Sequence, residues 1–141
     1  MGAKVGTLEI PTNGPGFYMF TPRLAEWLRS TGVGDGLLTL LIQHTSCSLL
    51  IQENADPDVR LDLTEFLDRL APPTNHPAMA WMRHTIEGPD DMPAHVKASL
   101  LPVNLQVPVA DGRMRLGTWQ GVYLVEHRRA AHNRSVALHF A

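Results

Sequence analysis

Three histidines are the residues of this sequence best suited to metal binding or proton transfer. His44 precedes two hydroxyl residues, and its parity places it on the apolar face of a predicted strand. His84 and His95 are eleven residues apart with acidic residues between them, which is not a standard metal-ligand spacing. Imidazole binds divalent metals and exchanges protons near neutral pH. By spacing alone, each histidine is either such a functional group or a hydrogen-bonded structural one.

Polar residues at the start of the second predicted helix form another candidate group. Asp56 is predicted to cap this helix, and Asn54 lies just before it. Helix N-termini present free backbone amides that attract anions, and Arg60, one turn inside the helix, can add a positive charge. Simple capping by Asp56 and solvation of Arg60 explain the same residues without a ligand.

A third candidate group lies in the C-terminal part of the chain. Trp119 and Gln120 lie between two glycines, and the tryptophan ring is either a stacking surface for a heteroaromatic ligand or a cover for the core. Glu126 shares a strand face with Gln120, and Arg128 follows it. This arginine either binds a phosphate through paired hydrogen bonds or only solubilises a turn.

Composition limits the kinds of protein that can carry these groups. With 141 residues, 44% hydrophobic and 18% charged, the chain is expected to form one globular domain, residues 1–141. A net charge of -2 and the lack of a long basic run argue against a nucleic-acid partner. The lone Cys47 excludes an internal disulfide and fits a reducing compartment. Without a secretion signal or a membrane-length apolar stretch, we expect a cytoplasmic protein with no membrane partner.

Periodicity and turn residues predict an α+β fold: a mostly antiparallel β-sandwich with two to three helices. Thr21 is predicted to cap the first helix, and Asp111-Gly112 is typical of a hairpin turn. The predicted helix starts are Thr21-Pro22, Asp56-Pro57 and Asp91. A single site then requires folding to bring together three separated polar stretches, 44–54, 84–95 and 119–128.

Several sequence blocks resemble the YjbQ family, the secondary thiamine-phosphate synthase group. They occur in the family's order and cover nearly the whole chain. Cys47 stands where the family often has alanine, and residues 75–81 match no part of the pattern. The matching blocks are His44-Thr45-Ser46, Glu53 to Arg60, Glu87 to Lys97, Gly117 to Val122 and Glu126-His127-Arg128.

The resemblance implies a small α/β sandwich that assembles as a homotrimer with sites near subunit boundaries. It also implies a polar pocket containing His44, His84 and His95, as metal ligands or acid–base groups. The candidate cofactor is a divalent ion, Zn²⁺, Mg²⁺ or Mn²⁺, and Glu126 is expected to be a further catalytic residue. The residues expected to contact substrate are Thr45, Ser46, Asn54, Arg60, Trp119, Gln120 and Arg128.

The activity that the resemblance implies is that of a thiamine-phosphate synthase. Such an enzyme joins a pyrimidine-methyl diphosphate to a thiazole phosphate and releases diphosphate. A metal-dependent hydrolase of a phosphorylated metabolite is an alternative, with Glu126 or a histidine as the base that activates water. The other alternative is a non-catalytic trimer that binds a small anion or metabolite.

Overall fold

The computed structural model describes residues 2–141 and confirms the predicted α+β fold. Within these residues no helix has the length and apolar character needed to cross a bilayer. A short 3₁₀ turn covers Pro77–Met79. The helices are α1 (Thr21–Thr31), α2 (Pro57–Leu70) and α3 (Asp91–Leu100). The strands are β1 (Lys4–Asn13), β2 (Gly16–Met19), β3 (Gly36–Ile42), β4 (Cys47–Glu53), β5 (Asn104–Ala110), β6 (Arg113–Met114), β7 (Gln120–Glu126) and β8 (Ala131–Phe140).

Two antiparallel sheets share one hydrophobic core. The larger sheet has the strand order β1-β8-β3-β5-β6, and the smaller has the order β2-β7-β4. The larger sheet contributes Leu38, Leu40 and Ile42 of β3 to this core, and the smaller sheet contributes Leu49 and Leu124. The period of two along β3 is what a strand with one face on the core requires. The predicted sandwich is confirmed.

The helix starts follow the sequence prediction except at the first cap. Asp56 caps α2, because its Oδ1 accepts a hydrogen bond from Asp58 N–H at 2.9 Å. The prediction of Thr21 as the cap of α1 is wrong: Thr21 is the first helical residue, and Phe20 occupies the N-cap position without a side-chain bond. Thr21 Oγ1 accepts a hydrogen bond from Val122 N–H at 2.8 Å. The Thr21 hydroxyl therefore accepts a hydrogen bond from a strand amide and does not cap the helix.

The β4–β7 pair carries predicted site residues at both of its ends. Its antiparallel register pairs Cys47 with Glu126 and Glu53 with Gln120. Six residue steps separate the two ends, which is about 20 Å of extended strand. Helix α3 packs against β4. Cys47 is completely buried at the Glu126 end, and this burial raises the pKa of its thiol to about 12.

Candidate metal centre

Four side chains from α3 and the loop before it converge on one point. His84 Nε2 lies 2.7 Å from Asp91 Oδ2 and 3.3 Å from Glu87 Oε2. His95 Nε2 lies 3.1 Å from the same Asp91 oxygen. Each residue offers one ligand atom within 4.8 Å of the other three, and we call the group the His/Asp cluster: His84, Glu87, Asp91 and His95.

Helix geometry and one backbone contact place His95 in this cluster. Asp91 and His95 are one turn apart in α3, so their side chains share a face of the helix. His95 Nδ1 donates a hydrogen bond to the Thr45 carbonyl at 2.8 Å, which fixes the ring and leaves Nε2 as the nitrogen that faces the cluster. Metal-binding histidines are typically held in this way through their second nitrogen. Thr45, which was expected to contact substrate, therefore positions His95 through its backbone.

Arg128 fixes the two aspartates at the start of α3. Its Nη1 donates to Asp91 Oδ1 at 2.6 Å, and its Nε donates to Asp90 Oδ2 at 3.0 Å. Its Nη2 donates to the Glu87 carbonyl at 3.2 Å. Arg128 was expected to bind a phosphate, but its guanidinium is bound by three groups of the protein itself.

The charges of the cluster keep Asp91 ionised. Burial raises the pKa of Asp91, but its hydrogen bond with His84 and the charges of His95 and Arg128 outweigh burial and hold this pKa below its usual value. The hydrogen bond to Asp91 in turn raises the pKa of His84. Protons and a metal ion compete for the same imidazole nitrogens, so metal affinity is expected to fall in acid.

The donor set fits a divalent metal ion. Two imidazole nitrogens and two carboxylate oxygens are suitable ligands for Zn²⁺ and related first-row ions, whereas Mg²⁺ prefers oxygen donors alone. The Asp91 side chain is 3% exposed and the His84 side chain is 40% exposed. The cluster is therefore anchored on one side and open to solvent on the other, so water can reach an ion held there.

His44 lies beside the cluster but not in it. Its Nε2 accepts a hydrogen bond from Ser135 N–H at 2.8 Å, so this nitrogen has no lone pair left for a metal. Burial, together with the charge of Arg134, lowers the pKa of His44 and keeps the ring neutral. His44 and His95 line a common groove of about 350 Å³, with Ile42, Thr45, Ala98, Ser99 and Val103 as the other lining residues.

Glu126 and Ser46 belong to a buried hydrogen-bond network. The Glu126 carboxylate accepts hydrogen bonds from Arg134 Nε at 2.8 Å, Arg134 Nη2 at 2.6 Å and Thr12 Oγ1 at 2.5 Å. Arg134 Nη2 also donates to Ser46 Oγ at 3.0 Å. Burial raises the pKa of Glu126, but its hydrogen bonds to Arg134 and Thr12 bring the net pKa below its usual value. These donors occupy the carboxylate, which suits a structural ion pair better than a base.

Four of the expected substrate contacts lie at the other end of the β4–β7 pair. Asn54 N–H donates to the Trp119 carbonyl at 2.9 Å, and Asn54 Nδ2 donates to the Gln120 carbonyl at 3.3 Å. Arg60 Nη1 donates to the Tyr123 hydroxyl at 3.2 Å, while the Trp119 side chain is exposed. Because about 20 Å of strand separates this end from the His/Asp cluster, one chain cannot hold one small metabolite with both groups.

Glu87 and Asp91 are members of the site that were not predicted from the sequence. Asp91 could have been found, because Asp91 and His95 are four residues apart in a predicted helix and therefore share a face. Glu87 and His84 lie in the loop before α3, where no periodic pattern fixes which side chains face the helix. The path of that loop, which the sequence does not reveal, brings Glu87 and His84 to the helix.

Comparisons with known sequences agree with this fold. The family model described as "UPF0047 protein YjbQ-like" matches residues 6–141. UPF0047 protein sll1880 of Synechocystis sp. is 44% identical over 132 residues, which cover 94% of this chain and 87% of that protein. UPF0047 protein YjbQ of Escherichia coli O157:H7 is 43% identical over 123 residues, 86% of either chain.

Solved structures give the same result. The conserved hypothetical protein TT1486 of Thermus thermophilus is 36% identical with a TM-score of 0.83, covering 96% of this chain and 99% of its own. An uncharacterized conserved protein of the yjbq/upf0047 family from Clostridium acetobutylicum is 30% identical with a TM-score of 0.82, covering 98% and 99%. The resemblance found in the sequence is confirmed, and the chain belongs to the YjbQ/UPF0047 family.

Proposed function

We propose that this chain is a divalent-metal-dependent enzyme whose ion is held by the His/Asp cluster. The observation that carries the proposal is the convergence of two imidazoles and two carboxylates within 4.8 Å. The groove lined by His44 and His95 adjoins the cluster and offers a place for substrate. A buried Asp91 paired with Arg128, and a His95 held by a backbone carbonyl, preorganise the ligands in the way that metal enzymes require.

The residues at this site have different roles. A bound divalent ion supplies Lewis acidity, which activates water or neutralises a departing phosphate. Asp91 and Glu87 supply negative charge that retains the ion, while His84 and His95 supply neutral nitrogen ligands. Arg128 holds Asp91 in place and offsets part of the negative charge of the cluster. His44, kept neutral, presents its ring to the groove.

Metal analysis tests this proposal. Protein purified without a histidine tag is expected to bind about one Zn²⁺ or Mn²⁺ per chain, measured by elemental analysis after dialysis. His84→Ala and Asp91→Asn are expected to lose the ion. His139→Ala is the matched control, because this histidine is exposed on β8, outside the cluster, and should leave the metal content unchanged. Equal metal content in all four proteins would contradict the proposal.

For the reaction itself, we propose thiamine-phosphate synthesis as the first candidate, since the family resemblance implies it. The bond between the pyrimidine methylene carbon and the diphosphate oxygen breaks, and a bond forms between that carbon and the thiazole nitrogen. The growing charge on diphosphate is where a divalent ion would act. Formation of thiamine phosphate and diphosphate from the two precursors, dependent on added metal and lost in Asp91→Asn, is the expected result.

One observation favours hydrolysis of a phosphorylated metabolite as a second candidate. Arg128 and Arg134 are both bound by carboxylates of the protein, so neither is free to bind the diphosphate that the first reaction would release. Release of phosphate from simple phosphate esters with Zn²⁺, Mn²⁺ or Mg²⁺, much faster than thiamine phosphate formation, would select this reaction. Tight metabolite binding without product would instead select a non-catalytic binding protein.

We further propose that residues 1–141 act as one domain in a cytoplasmic homotrimer, as the family resemblance and the composition imply. Large apolar side chains on the surface support an assembly: Leu61, Phe66, Trp81, Ile86 and Leu100 are all more than half exposed. In an assembly, the Asn54–Gln120 end of one protomer can complete the site of its neighbour. Light scattering coupled to size-exclusion chromatography tests the proposal, and a monomer mass would contradict it.

A further inference from the structure

Lys97 is a buried lysine that the proposed metal site does not use. The chain has two lysines, Lys4 and Lys97, among its 12 lysines and arginines, so nearly all of its cations are arginine. Lys97 lies two residues after His95 in α3, and this spacing directs the two side chains to different sides of the helix. The Lys97 side chain is 9% exposed. Burial of an ammonium costs free energy unless hydrogen-bond acceptors surround it.

The Lys97 ammonium lacks such acceptors within residues 2–141. Its nearest carboxylate oxygen, Asp68 Oδ1, lies 4.0 Å away, which exceeds hydrogen-bond length. No side-chain or backbone oxygen of the described residues accepts a hydrogen bond from Nζ. Three N–H donors therefore point into the space around them, where water or a ligand must satisfy them.

That space is a cavity of about 160 Å³ between α2, α3 and the smaller sheet. Its volume equals that of about five water molecules. Phe17, Leu67 and Val125 supply apolar wall, and Glu65 and Asp68 supply carboxylates. Glu126 also lines the cavity, but its carboxylate is neutralised by the ion pair with Arg134. The Glu65 and Asp68 side chains are 62% and 58% exposed, so these two carboxylates lie at the mouth while the Lys97 side chain is largely buried.

We propose that this cavity binds a small amino-acid zwitterion with an apolar side chain. The ligand carboxylate accepts hydrogen bonds from Lys97, its ammonium contacts Asp68, and its side chain packs on Phe17 and Leu67. The 4.0 Å gap between Lys97 and Asp68 is short enough for adjacent carboxylate and ammonium groups to contact both. A simple anion would bind Lys97 but would be repelled by the Asp68 carboxylate. The ligand must therefore carry both a carboxylate and an ammonium group. The site is independent of the metal proposal.

Two lysines make the experiment simple, because a lysine-labelled chain gives two side-chain signals. The full chain is labelled with ¹³C-lysine and titrated with L-leucine, and the Cε–Hε resonances are followed by NMR. Saturable movement of the Lys97 signal with a fixed Lys4 signal is the expected result. Lys97→Met assigns the signals. 4-Methylpentanoate and isopentylamine each lack one of the two charges and should bind about tenfold or more weakly than leucine.

A matched pair of variants on α2 completes the test without touching the buried lysine. Asp68→Asn removes the carboxylate at the mouth and should weaken leucine binding about tenfold or more. Asp62→Asn removes an exposed carboxylate of the same helix outside the cavity and should leave binding unchanged. A Lys97 signal that does not move up to the solubility limit of leucine would overturn the proposal. Equal affinity for leucine and 4-methylpentanoate, or for Asp68→Asn and the unaltered chain, would overturn it as well.

Discussion

The carboxylate of Asp91 has one oxygen on Arg128 and the other between His84 and His95. Such a group cannot be replaced by its amide without loss, because an amide nitrogen would face either a guanidinium or the nitrogens of two imidazoles. The loss of metal expected for Asp91→Asn therefore has two sources, a missing ligand charge and a reoriented amide. His84→Ala removes only a ligand, so the two variants together separate these sources.

His127 lends itself to a prediction about acid stability. Burial, with the nearby charge of Lys97, lowers the pKa of His127 to about 3, and its Nε2 lies 2.9 Å from Ser48 Oγ. His127 takes up a proton near pH 6.5 in the unfolded chain but only near pH 3 in the folded chain. Stability therefore falls as the pH falls below 6.5. The loss between pH 7.5 and 5 amounts to ~2 kcal/mol.

Denaturant unfolding of His127→Gln at a series of pH values measures this effect. The glutamine does not titrate, so the variant should lose ~2 kcal/mol less stability than the unaltered chain over this range. His139→Gln, at an exposed position of β8, should retain the full pH dependence. Parallel stability curves for His127→Gln and the unaltered chain would show that His127 does not cause the acid sensitivity.

At the scale of elements, the parts of the fold that depend on local contacts were predictable from the sequence. Asp56 needs only the amide of Asp58 to cap α2, and the alternation of β3 needs only one buried face. Thr21 failed as a cap because Val122, a hundred residues away, competes for its hydroxyl. Local rules describe a residue correctly until a distant partner offers it a better contact.

The contact between β1 and α1 yields a prediction at this scale. Gly6 of β1 faces the Trp27 ring of α1, and a Cβ atom at Gly6 would collide with Trp27 Nε1. The broad indole ring must move to admit a methyl group. Gly6→Ala is therefore expected to cost about 1–3 kcal/mol of stability, measured by chemical denaturation.

A second glycine supplies the comparison. A Cβ atom at Gly34 would meet no atom within 4 Å, and its backbone is not left-handed. Gly34→Ala should change the stability by no more than about 0.5 kcal/mol. If the two alanine variants were equally stable, the close approach of Trp27 to β1 would not be a constraint on the fold.

For the whole molecule, metal binding and folding should be linked. The His/Asp cluster joins α3 to the 84–90 loop, and through Thr45 to the segment before β4, so it exists only in the folded chain. A metal present at a hundred times its Kd should stabilise the fold by about 2.7 kcal/mol and raise Tm by about 5 to 10 °C. His95→Ala should abolish the shift, measured by differential scanning calorimetry, and EDTA should reverse it. A shift that persists in His95→Ala would place the ion elsewhere.

The candidate site was predictable from the sequence only in part. The family resemblance implied a site that includes His84, His95 and Arg128, and these residues lie together in the structure. The motifs also suggested one pocket that includes Asn54 and Trp119, which lie at the far end of the β4–β7 pair. Motifs report residue type and order, whereas the separation of the two groups is set by the length of two strands, which only the paired register reveals.

The burial of Cys47 has a practical consequence for labelling studies. A thiol with no exposed surface and a raised pKa is a poor nucleophile. Maleimides and iodoacetamides should therefore not react with Cys47 while the fold is intact. Because the sequence holds no other cysteine, a fluorophore or spin label can be attached to a newly introduced surface thiol without first removing the native one. Such probes report on the surroundings of the labelled position in the otherwise unaltered protein.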